Sequence, residues 1–172
     1  MNTDTVTSVE KYRKGWTGGL PETQCGYGST LEATHQQRVW IPEVIRRHKI
    51  RIIADIGAGD LNWMQQTDMG DVDYTPYDLV PRHPSVSEFD LVEQIPPKVD
   101  CLMVLWVLNH MPFDDCRKAI ANIKASKSEF VMMTDRPVWH AEQPPEIQVQ
   151  ALESLLLTDK GDRIKFFRLA DW

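Results

Sequence analysis

The sequence predicts a doubly wound α/β domain, a mainly parallel sheet in three α/β/α layers, on three observations. Short β-branched or apolar runs alternate with helical patterns along the chain. The first clear run stops at Gly57 and Gly59, as a buried parallel strand does on entering a tight turn. An aspartate, Asp78, closes the next run, 21 residues after Gly57.

Residues 1–30 hold five of the nine glycines, with Pro21, and are expected to form a loop-rich segment that folds over something else. Residues 31–172 are expected to form one domain. Ile41, Val44, Ile45 and His48 follow helical spacing, and Arg46, Arg47 and Lys49 suit a helix C-terminus. Pro42 should break or kink that helix into pieces at about 31–39 and 42–48. Residues 50–56 read as a strand, 61–66 as the start of a helix after the glycine turn, and 72–78 as a second strand. Pro81, His83 and Pro84 leave no room for a full crossover helix, so the sheet is shortened there, with an edge strand at 86–90. The almost wholly apolar 99–108 should be a central strand. Phe113, Cys116, Ile120 and Ile123 give a helical face behind Asp114 and Asp115. Strands are expected at 129–134 and 163–169, and a helix at 148–156, with Leu152, Leu155 and Leu156 on one side.

One hundred and seventy-two residues suit a single core, and 42% hydrophobic with 26% charged residues excludes intrinsic disorder. A net charge of −6 has the wrong sign for a protein that grips phosphates broadly. Cys25, Cys101 and Cys116 form no CxxC pair and read as reduced thiols of a cytoplasmic protein. The first fifteen residues contain no apolar run of signal-peptide length, and 101–108 is too short to span a bilayer, so no membrane association is expected. The five histidines show no HxxxH or HxH spacing, and no metal is expected.

The sharpest chemical signal is the strand leading into Asp55-Ile-Gly57-Ala-Gly59-Asp60-Leu-Asn62-Trp63, with Asp78 at the end of the next strand. In a doubly wound sheet both would line one crevice at the strands' carboxyl ends, where glycines admit a nucleoside and an acid binds ribose hydroxyls. A dinucleotide fingerprint would need a third glycine where Asn62 stands, and no GxxxxGK[ST] occurs. S-adenosylmethionine has no phosphate and needs neither.

These motifs resemble the class I S-adenosylmethionine-dependent methyltransferases, in particular a small bacterial and phage branch. The likeness lies in GYGSTLEAT at 26–34 followed by Arg38, ADIGAGDLNWM at 54–64, YDLVP at 77–81, the stretch 89–112, and SKSEFVMMTD at 126–135. The resemblance implies a Rossmann-like fold, the cofactor S-adenosyl-L-methionine and transfer of its methyl group to a small-molecule or glycan-like acceptor. Asp55, Gly57 and Gly59 would form the turn under the methionine moiety, with Asn62 and Trp63 beside it; Trp63 serves equally well as core packing. Asp78, followed by Leu79, would hold the ribose, and Asp90 with the Leu91 backbone would meet the adenine. Leu105 and Trp106 would flank the sulfonium, and Arg38 would pair with the methionine carboxylate or an anionic substrate. His110 sits at an expected rim, either as a base toward the acceptor or as a capping or core histidine. Trp139 and His140, in a proline-bounded loop that matches no family pattern, read as a solvent-side loop or a substrate lid.

Position 105–112, LWVLNHMP, lacks the [DNS]PP[YFW] tetrad of amino-directed DNA methyltransferases, so nucleic acid is disfavoured as the acceptor. Two further classes stand beside the leading one. A protein that binds the cofactor without methyl transfer would keep Gly57, Gly59 and Asp78 but lack an acceptor pocket near Trp106. A nicotinamide oxidoreductase is opposed by Asn62 and by the absence of a Tyr-x-x-x-Lys pair.

Overall fold

The computed structural model describes residues 20–135 and 149–172. Gly15, Gly18, Gly19 and the Trp139-His140 loop lie outside the described residues. The described strands are β1 (Ile52–Ile56), β2 (Asp73–Asp78), β3 (Ser87–Glu88), β4 (Cys101–Val104), β5 (Phe130–Asp135), β6 (Glu153–Leu156) and β7 (Arg163–Arg168). They form one sheet in the order β3-β2-β1-β4-β5-β7-β6. β1 to β5 are parallel, and β7 runs antiparallel between β5 and β6. The order reverses between β1 and β4, and that switch point opens a crevice at the strands' carboxyl ends.

The two long described helices, α1 (His35–His48) and α2 (Phe113–Ala125), cover opposite faces of the sheet. Alternation along the strands divides the core between them. Cys101 and Met103 of β4 and Phe130 and Met132 of β5 join Ile41, Val44 and Ile45 of α1. Leu102, Val104, Val131 and Met133 join Cys116, Ala119, Ile120 and Ile123 of α2. Each large side chain withdrawn completely from water in these layers contributes about 1.5–3 kcal/mol.

Several expectations are corrected. α1 runs unbroken through Pro42, which is buried beside Ile41, Val44 and Ile45; packing of that face against the sheet outweighs one missing amide. The helix begins at His35, after turns over 31–34. No α-helix follows the glycine turn: Leu61 adopts φ 60° and only a 3-10 turn forms at Met64–Gln66. The central strand ends at Val104, because Trp106 enters the left-handed region at φ 59°. The helix predicted at 148–156 does not form over its described part: 149–152 are irregular and Glu153–Leu156 is the hairpin strand β6. Pairing of Glu153 with Phe166 and of Leu155 with Ile164 decides it, and a polar turn with Gly161 at φ 90° closes the hairpin. Leu152 and Leu156 are therefore half exposed rather than on a core face. The shortened region after β2 is observed, with no helix between β2 and β3. No helix among the described residues is long and apolar enough to cross a membrane.

Candidate functional site

The turn after β1 is built from backbone geometry that only glycine supplies without strain. Gly57 has φ 88°, and a Cβ there would stand 2.3 Å from Val107 Cγ2; its amide and that of Ala58 both donate to Tyr77 O, at 2.8 and 2.9 Å. Gly59 has φ 64° and faces Cys25 Sγ, 2.8 Å from where its Cβ would be. Asp78 fixes the far side. Its Oδ2 accepts the Gly59 amide at 2.8 Å and its Oδ1 accepts the Val80 amide at 2.9 Å.

The glycine turn is also latched to the segment before α1. Asp60 Oδ2 accepts from Thr23 Oγ1 and from the Gln24 amide, each at 2.7 Å. Asn62 Nδ2 donates to Glu22 Oε1 and to Ser29 O, each at 2.9 Å. Residues 20–31 therefore fold over the turn, and Asn62 serves as a strut between the two.

Above this turn lies a cavity of about 400 Å³, within the roughly 300–1,000 Å³ of small-molecule sites. It gathers Asp55, Gly57, Gly59 and Trp63 from the β1 side and Asp78 and Leu79 from β2. Asp90 and Leu91 follow β3, and Leu105, Trp106 and His110 follow β4. Two expected residues are elsewhere. Asn62 acts as the strut just described, and Arg38 does not line the cavity, its Nη2 donating to Leu31 O at 3.0 Å. The cavity instead takes Gln37, the residue before it, together with Cys25, Ser29, Arg82 and Asp115, which the motifs did not mark. Gln37 had a readable signal, since it lies one turn before Ile41 on the same apolar stripe.

Each wall is held by its neighbours. Asp90 Oδ1 accepts the Val92 amide at 2.9 Å, and Asn122 of α2 donates to Leu91 O and Val92 O, fixing the loop after β3. The Trp106 amide donates to Thr134 Oγ1 of β5 at 3.0 Å, which holds a bulky residue in a conformation that side chains rarely adopt. His110 is exposed at the mouth, at the end of the 3-10 turn Leu108–His110.

Asp55 forms the buried floor and accepts from the Tyr74 hydroxyl. Burial, with a smaller contribution from the Asp78 charge, pushes its carboxyl up to about 7 against the lowering effect of the Tyr74 bond. A carboxyl whose folded pKa is raised favours folding fully below its unfolded pKa of about 3.9 and loses that advantage as pH rises toward 7. Asp55→Asn, which keeps an oxygen for Tyr74, is therefore expected to be more stable than the parent at pH 8 and equal to it near pH 4. Urea denaturation across that range checks this, and parallel pH profiles for the two proteins contradict it.

Among the described residues five acidic side chains line the cavity, Asp55, Asp78, Asp90, Glu93 and Asp115, against one guanidinium, Arg82. That lining favours a cation and opposes a pyrophosphate. Nor does a helix N-terminus follow the glycine turn to bind one. A dinucleotide is thus poorly served. S-adenosylmethionine, an adenosine without phosphates and with a net positive charge, suits the donor set: carboxylates for ribose and adenine, a backbone turn and an apolar end at Leu105 and Trp106. Among the described residues no group of three or more His, Cys, Asp or Glu is placed to hold a metal ion.

The strand order, the antiparallel β7 and the cavity at the switch point define the fold of the class I S-adenosylmethionine-dependent methyltransferases. Solved structures of that class superpose on the chain. Magnesium protoporphyrin IX methyltransferase (ChlM) from Synechocystis PCC 6803, with bound S-adenosylmethionine, matches at TM-score 0.68 and 12% identity over 97% of this chain and 99% of that one. N-methyltransferase NodS from Bradyrhizobium japonicum WM9, in complex with S-adenosylhomocysteine, matches at TM-score 0.60 and 11% identity over 82% and 89%. The small RNA methyltransferase HEN1 matches at TM-score 0.56 and 12% identity, over 78% of this chain and 25% of that one. No family model and no curated protein sequence matches the chain.

Proposed function

We propose that the protein transfers a methyl group from S-adenosyl-L-methionine to a small-molecule or glycan-like acceptor. The observation that carries this reading is the acid-lined cavity at the switch point, in which Asp78 accepts the Gly59 amide of the glycine turn and no helix N-terminus follows that turn. Structural neighbours that hold S-adenosylmethionine or S-adenosylhomocysteine support it. None of the three cysteines forms a disulfide, which supports a cytoplasmic setting.

When bound, S-adenosylmethionine supplies a methyl group on a sulfonium centre that leaves as a neutral thioether. The chain's task is then to bind, orient and exclude water. Asp78 and the Leu79 backbone hold the ribose, while Asp90 and Leu91 border the adenine. Asp55, Gly57, Gly59 and Trp63 form the wall under the amino-acid end. Leu105 and Trp106 shape the reacting end, with the Trp106 backbone held by Thr134 Oγ1. His110, at the mouth, takes a proton from a hydroxyl or ammonium acceptor.

The test is formation of S-adenosylhomocysteine, followed by mass spectrometry, with hydroxyl, amine and glycan acceptors and with RNA in parallel. Turnover is expected with a small acceptor, falling by roughly 10²–10⁴ in His110→Ala while cofactor affinity stays unchanged. Turnover confined to RNA would overturn the acceptor class, and a fully active His110→Ala would remove that residue from the chemistry.

A further inference from the structure

Gln37 is 4% exposed, lies on the first turn of α1 and lines the cavity. Its carboxamide makes no hydrogen bond with the described residues, and its nitrogen and oxygen stay open to the cavity rather than sealed in the core. A carboxamide so placed can donate to a ligand that enters the cavity. The neighbouring Arg38 gives its Nη2 to Leu31 O, keeps a buried Nε without a partner, and is not among the residues that line the cavity.

The cavity has two halves. Asp78 ends β2, and Arg82, Asp90 and Leu91 come from the loops after β2 and β3; in the reading above these serve the nucleoside. Gln37 enters from α1, which shares its core layer with Trp63, Leu105 and Trp106. The amino-acid end of the cofactor carries a carboxylate, an anion in a cavity otherwise rich in carboxylates. Arg82, the one lining guanidinium among the described residues, belongs to the nucleoside half.

We propose that Gln37 is the uncharged donor for the α-carboxylate of S-adenosylmethionine, its Nε2 taking the place that a cation such as Arg38 would fill. The inference rests on the cofactor reading above. It makes the carboxylate, rather than the nucleoside, the part of the ligand that Gln37 recognises.

Calorimetric titration of the full chain with S-adenosylmethionine and with decarboxylated S-adenosylmethionine tests this, with thermal melts to confirm folding. In Gln37→Leu the dissociation constant for S-adenosylmethionine rises about tenfold or more, while that for the decarboxylated compound stays within about twofold. Gln37→Glu sets a carboxylate against a carboxylate, so S-adenosylmethionine weakens further and the decarboxylated compound binds more tightly than to the parent. Equal effects on both ligands in folded variants, or no effect on either, overturn the assignment. Should Gln37→Leu fail to fold, the opposite responses of Gln37→Glu to the two ligands decide alone. Failure of the parent to bind either ligand is the separate result that removes the cofactor reading.

Discussion

Asp78→Ala is expected to weaken S-adenosylmethionine binding by about 2 kcal/mol or more, roughly thirtyfold in the dissociation constant. The carboxylate acts twice. It accepts the Gly59 and Val80 amides, which holds the glycine turn and the loop after β2 at a fixed separation. In the proposed complex its remaining lone pairs meet the ribose hydroxyls, and a charged acceptor makes the stronger kind of hydrogen bond. Removal therefore costs ligand contacts and lets the turn relax. Asp78→Asn keeps one carbonyl oxygen but presents an NH₂ to one of the two amides, so an intermediate loss is expected. Calorimetry on the three proteins checks the ranking, and an unchanged dissociation constant in Asp78→Ala contradicts the role given to the carboxylate.

Gly57→Ala is expected to destabilise the fold by about 3 kcal/mol, through two separable causes. One is backbone strain at φ 88°; the other is a methyl group 2.3 Å from Val107 Cγ2, inside any permissible contact. Gly70 separates them. It has φ 61° with nothing within 4 Å of its would-be Cβ, so Gly70→Ala carries strain alone, about 1 kcal/mol. The double variant Gly57→Ala/Val107→Ala relieves the collision and should behave as the strain and the lost valine methyls dictate, with a Gly57→Ala effect close to that at Gly70. Urea denaturation of the parent, Val107→Ala and these three variants measures each effect. Equal losses for Gly57→Ala and Gly70→Ala would show that the Val107 contact does not matter.

Much of the fold was legible because its centre is written in local patterns. Residues 50–56 and 129–134 are apolar runs that only a strand buried on both faces accommodates, and the glycine spacing announced the turn. What was illegible depended on partners distant in sequence. The leucines at 152, 155 and 156 fit a helical face as well as a strand, and β7 decided between them. Pro42 reads as a breaker, yet the buried face of α1 overrides it. Within the site, Asp55, Gly57, Gly59 and Asp78 were readable because backbone conformation and strand ends fix their positions. Asn62 and Arg38 do not line the cavity for a shared reason: their partners, Ser29 and Glu22 for one and Leu31 for the other, belong to a segment whose path no periodicity announces. Arg38 also drew attention by its charge, while the uncharged Gln37 beside it reached the cavity.

The most direct test of the central claim is a calorimetric titration of the parent protein with S-adenosylmethionine, with NAD as the comparison. The acid-lined cavity and the absence of a helix N-terminus after the glycine turn predict saturable one-to-one binding of S-adenosylmethionine with a micromolar dissociation constant, about −8 kcal/mol, and no binding of NAD. Folded protein that ignores S-adenosylmethionine, or that prefers NAD, would contradict it.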